Sequence, residues 1–125
     1  MILLTACGGS DEVPLTAADF RDEGNRICSE MTVDLLEIVD TGTGADGLLT
    51  AEARQAMTER RATGFEALFE LQPPADLADD FADLERVREE FVEVGNDRIP
   101  EPDADLRLGP QWVQTALRLG LPGCA

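Results

Sequence analysis

Apolar residues recur along this chain at steps of three and four, in blocks broken by glycine or proline. Sustained apolar–polar alternation is absent, so the pattern predicts helices and no strands. Phe20, Ile27, Met31, Leu35 and Ile38 form a first stripe, widened by Leu36 and Val39. Thr16-Ala17-Ala18-Asp19 resembles a capping box with an acid in the last position, which starts a helix at about residue 17 and carries it to about 40. Gly42, Gly44 and Gly47 then make a loop. Thr50 caps a second helix, expected from about 51 to 71, with Ala53, Met57, Phe65, Leu68 and Phe69 on its apolar face. Gly64 on that face admits a close neighbour, and Pro73-Pro74 stops the helix. A third helix should start at Ala75 or Asp76 and reach about residue 97. Its stripe of Leu77, Phe81, Leu84, Val87, Phe91 and Val94 is the cleanest in the chain, and Asp79, Asp80, Asp83, Glu85, Glu89, Glu90 and Glu93 cover the opposite face. Pro100, Glu101, Pro102, Asp103 and Asp105 mark a connection. Pro110 suits the first turn of a last, shorter helix bearing Trp112, Val113, Ala116, Leu117 and Leu119. Leu106 and Leu108 form an irregular turn before it, Gly120 caps its end and Pro122 blocks continuation. The expected fold class is all-α: an antiparallel bundle of about four helices, the last one short.

Length and composition narrow the functional field. A chain of 125 residues builds one domain with one modest core. Its 43% apolar content argues against intrinsic disorder. The 26 acidic residues outnumber 10 basic ones, for a net charge of −16. Such a field repels nucleic acid and anionic headgroups, so no nucleic-acid partner is expected. It serves solubility or tolerance of salt, or alternatively a cation or basic partner. All ten basic residues are Arg, and there is no His. An imidazole base, His-ligated zinc and Ser-His or Cys-His pairs are thereby excluded.

Leu4-Thr5-Ala6-Cys7 resembles the bacterial lipobox, in which an aliphatic residue and two small ones precede a cysteine. The resemblance implies that the Cys7 thiol takes diacylglycerol and that the peptide bond before it is cut. Residues 1–6 then read as a residual, truncated lipoprotein signal peptide. Residues 7–15 form the anchor and a tether, Gly-Gly-Ser-Asp-Glu-Val-Pro-Leu after the cysteine, and 16–125 the helical domain. At ~3.3 Å per residue the tether spans at most roughly 25 Å, which holds the domain near the membrane. The implied location is the outer face of the cytoplasmic membrane, and a diacylglycerol supplies the two chains that stable anchoring takes.

With Cys7 used for lipid, Cys28 and Cys124 remain, and an even pair in an exported chain reads as a disulfide. The alternative is two free buried thiols in a cytosolic protein. Three segments carry a wider resemblance: Asn25-Arg26-Ile27-Cys28, Leu68-Phe69-Glu70-Leu71-Gln72-Pro73-Pro74-Ala75-Asp76-Leu77, and Leu119-Gly120-Leu121-Pro122-Gly123-Cys124-Ala125. Together they look like the small secreted or lipid-anchored helical proteins common in actinobacteria. That resemblance implies pairing of Cys28 with Cys124, a two-proline join between helices, and a final helix longer than the residues before Trp112 suggest.

Candidate chemistry is sparse. Asp76, Asp79, Asp80 and Asp83 have helical spacing but lie opposite the apolar stripe, as a solvated face does. Numbered from Glu101, an EF-hand loop would need Gly at the position of Leu106 and Glu at that of Trp112. Numbered from Asp40, it meets Gly42 and Gly44 where acids belong. Trp112 reads as a packing residue, and Arg60-Arg61 as an offset to facing acids. No catalytic residue, metal ligand or cofactor is therefore expected. The expected function is a non-catalytic cell-envelope lipoprotein, a binding or structural module with an envelope protein as partner. The alternative is a solute- or cation-binding lipoprotein with its site among acidic helices.

Overall fold

A computed structural model describes residues 13–95 and 103–125. Among them are four α-helices: α1 (Ala17–Gly42), α2 (Ala51–Phe69), α3 (Ala78–Gly95) and α4 (Ala104–Arg118). Single 3₁₀ turns, Ala75–Leu77 and Pro122–Cys124, precede α3 and follow α4. The described residues contain no strand, only an isolated antiparallel bridge between Thr43 and Leu49 that closes the α1–α2 loop. Gly47 turns that loop at φ +81°. Both expected threonine caps are present: Thr16 Oγ1 accepts from the Asp19 N–H and Thr50 Oγ1 from the Ala53 N–H, each at 3.1 Å.

The helices run antiparallel in two hairpins. In the first, Gly24 meets Leu68, Gly64 meets Met31, Arg60 pairs with Asp34 at 2.7 Å and Gly42 meets Ala53, so α2 descends as α1 rises. Gly64 acts as expected, because a Cβ there would lie 2.5 Å from the Met31 sulfur. In the second, Arg118 of α4 faces Asp80 at 3.5 Å and Arg107 faces Glu90 at 3.0 Å. Side chains join the hairpins. Phe81 of α3 meets Phe20 edge-on with ring centroids 5.0 Å apart and Phe69 at 5.3 Å, and Phe65 meets Trp112 edge-on at 5.4 Å. Phe20, Leu68, Leu84, Ala116, Leu119 and Leu121 are fully buried in the main core, and Val87 with Leu108 forms a second cluster.

Several boundaries differ from the sequence expectation. Helix α2 stops at Phe69 rather than near Leu71. Gln72 precedes a proline and is driven out of the helical region, and its carbonyl accepts from the Leu15 N–H at 2.8 Å. Helix α4 begins at Ala104, so Pro110 lies inside it instead of in its first turn. Pro110 stands on the exposed side of the helix, where the Leu106 carbonyl that loses its helical donor belongs to a residue open to solvent. Leu108 holds the inner side at full burial, whereas Leu106 is 78% exposed. Even so, α4 at 15 residues remains the shortest of the four.

The α1 stripe is also only half used. Its buried residues end at Met31; Leu35, Ile38 and Val39 are half-buried and Leu36 is 61% exposed. Beyond Met31, α1 packs along α2 among the described residues, and its remaining apolar side chains are only partly covered. No helix among the described residues is long and apolar enough to cross a membrane.

Candidate functional site

The C-terminal tail is wired to the middle of α1. Helix α4 ends in a Schellman motif: the Leu121 N–H donates to the Ala116 carbonyl at 2.9 Å and the Gly120 N–H to that of Leu117 at 3.0 Å. Gly120 adopts φ +76°, which favours glycine and fits the expected C-cap. The motif turns the chain so that Leu121 drops into the core against Gly24, where an added Cβ would come within 2.8 Å of the leucine. Pro122–Cys124 then lies along α1, and Cys124 forms a disulfide with Cys28, their Cα atoms 5.0 Å apart. Cys28 is 1% and Cys124 9% exposed.

Four further bonds hold the same tail. The Asn25 Nδ2–H donates to the Gly120 carbonyl at 3.1 Å, and the Gly123 N–H donates to Asn25 Oδ1 at 2.8 Å. Arg21 Nε–H donates to the Leu119 carbonyl at 3.1 Å, and Trp112 Nε1–H to the Cys124 carbonyl at 2.6 Å. Trp112 is thus a packing residue with a satisfied indole. Asn25 was visible in the sequence only as a neighbour of Cys28; nothing in a lone Asn indicates two backbone partners 95 and 98 positions away. Asn25→Ala should strand a carbonyl and an N–H and destabilise the fold by about 2 kcal/mol. Urea unfolding checks this, with Asn25→Asp as the companion: it can still accept from Gly123 but sets a carboxylate against the Gly120 carbonyl.

A concave surface lies where α2, α3 and α4 meet. Arg61, Phe65, Arg88, Phe91, Trp112 and Val113 line a groove of about 300 Å³, together with Gly109, which adds no side chain to it. The Arg88 guanidinium stands over the Phe65 ring, 4.4 Å from its centroid. Burial lowers the pKa of Arg88, and the neighbouring Arg61 charge lowers it further. On the other side of the Phe65–Arg88 ridge, a second groove of about 390 Å³ carries Glu66, Glu70, Glu85 and Glu89. Sequence reading missed the first groove because Arg61 and Arg88 belong to different helices, and only the α2–α3 packing makes them neighbours.

The remaining sequence candidates fall elsewhere. Cys7 and the lipobox lie outside the described residues, as do Glu101 and Pro102 of the acidic connection. The acids of α3 are solvated or serve ion pairs: Asp79, Asp83, Glu85, Glu89 and Glu93 are exposed, and Glu90 accepts from Arg86 at 2.7 Å as well as from Arg107. Arg26 bridges Glu23 and Glu30 on α1, and the hydrogen bond from Arg26 holds the exposed Glu23 carboxyl below its ordinary pKa. No group of three or more potential metal ligands occurs among the described residues. Compared with protein-family models, curated proteins and solved structures, the chain matches none.

Proposed function

We propose that the chain is a non-catalytic cell-envelope lipoprotein, anchored through diacylglycerol on Cys7 and presenting its helical bundle outside the cytoplasmic membrane as a binding or structural module. The observation that carries this reading is the Cys28–Cys124 bond, because buried structural disulfides persist in oxidising compartments and are rare in the cytosol. The lipobox-like Leu4-Thr5-Ala6-Cys7 supplies the anchor, and the acidity keeps the domain off anionic headgroups. Expressed from its full gene, the protein should enter the membrane fraction and require detergent for release. Cys7→Ala should appear in the soluble extracellular or periplasmic fraction. Retention of the variant in the membrane, or a soluble wild type, would overturn the reading.

A second reading, a solute-binding lipoprotein, is favoured by the groove at Arg61, Arg88 and Trp112. Its lining is apolar and cationic, which directs the alternative toward an anionic solute.

A further inference from the structure

We infer that the groove between α2, α3 and α4 is a binding site for a small organic monoanion, a carboxylate or sulfonate on an apolar body. Arg61 and Arg88 take the head group, and Phe65, Phe91 and Trp112 cover the body. The inference rests on the binding part of the reading above and not on the anchor.

The charge arrangement is the first support. Arg26, Arg60, Arg86, Arg107 and Arg118 each pair with a carboxylate, while Arg21 and Arg54 donate to backbone carbonyls. Arg61 and Arg88 have no carboxylate within ion-pairing distance among the described residues, in a chain with 26 acids. Two guanidiniums thus line one largely apolar groove with no carboxylate in direct ion-pairing contact among the described residues, the nearest glutamates lying across the Phe65–Arg88 ridge. An anion seated between them relieves their repulsion and accepts charge-assisted hydrogen bonds from both forks. Burial and the Arg61 charge both disfavour the charged form of Arg88, as this arrangement requires.

Size and surroundings set the ligand class. A volume of about 300 Å³ is that of a small-molecule site. The aromatic lining calls for an apolar body. Glu66, Glu85 and Glu89 across the ridge repel polyanions, which leaves a single charge as the best fit. Gly109 is on the lining, and a Cβ there would meet no described atom within 4 Å, so a larger side chain can be placed at this position.

Trp112 is the chain's only tryptophan, so its fluorescence reports directly on the groove. The full chain would be titrated with decanoate, decanol and decyltrimethylammonium, all below their micelle thresholds. Decanoate should saturate the signal at a concentration about tenfold lower than decanol, as loss of a charge-assisted contact implies. The Arg61→Gln, Arg88→Gln double variant should erase that preference while still responding to decanol. Gly109→Leu should fill the groove and abolish both responses without lowering the melting temperature, because it replaces a helical glycine. Equal response to decanoate and decanol, or a preference that survives in the double variant, would overturn the inference. So would a response to phosphatidylglycerol vesicles but not to free decanoate, which would assign the arginines to a lipid surface. None of these outcomes bears on Cys7, and a released Cys7→Ala protein should bind decanoate unchanged.

Discussion

Cys28→Ala with Cys124→Ala should lower the free energy of unfolding by about 4–5 kcal/mol, the largest loss expected from any change outside the hydrophobic packing. The two cysteines are 96 positions apart, so their bond closes a loop comprising most of the domain. Without it, the unfolded chain gains the conformational freedom of that whole loop. The folded state changes less. Asn25, Arg21 and Trp112 still hold the tail, and Leu121 still fills the space over Gly24. The effect therefore belongs mainly to the unfolded ensemble. Urea titrations should show it in two ways: a lower midpoint for the Ala pair and a steeper transition, because a chain without the cross-link exposes more surface on unfolding. A midpoint unchanged within error would mean that the reduced chain keeps the loop closed when unfolded. Reduction of the wild type should be slow under native conditions, since Cys28 is 1% exposed, and should accelerate once urea opens the fold.

The elements were largely legible in the sequence because they depend on local signals. Thr16 and Thr50 each answer an N–H three residues on, and Gly120 supplies a left-handed turn that other residues resist. The α3 stripe was legible through Val87 because a helix packed on one side needs only one face, and Leu77, Phe81, Leu84 and Val87 are all buried. What failed to show were the width of the buried face and the choice of partners. Leu36 widens the apolar stripe in the sequence, yet it lies five residues past Met31, well round the helix from the buried row, and is 61% exposed. Pro110 is a good first-turn residue by rule, yet burial of Leu108 draws the helix start back to Ala104. Asn25 and the Arg61–Arg88 pair acquire their roles only when distant segments meet, and no local spacing encodes such meetings.

Phe81→Ala should cost about 3–5 kcal/mol, the range for removing a large ring from a core that cannot collapse around the gap. Phe81 is 6% exposed and links three helices at once, edge-on to Phe20 of α1 and tilted against Phe69 of α2 while rooted in α3. Backbone contact within each hairpin is extensive, but α3 reaches α1 and α2 chiefly through side chains. Losing this ring should therefore loosen one hairpin from the other before either one frays. Urea unfolding followed by Trp112 fluorescence and by far-ultraviolet circular dichroism tests this, because Trp112 sits at the hairpin seam against Phe65. In the wild type the two transitions should coincide. In Phe81→Ala the fluorescence transition should come first, with helical signal persisting in the disulfide-tied chain. A coincident shift of both probes would show that the bundle melts as one unit, and a loss below about 1 kcal/mol would show that neighbouring side chains refill the site. Val33→Ala, on the part of α1 that α3 and α4 do not cover, should leave stability within about 0.5 kcal/mol of wild type. The contrast between the two positions separates the packed half of α1 from the half that stands beside α2 alone.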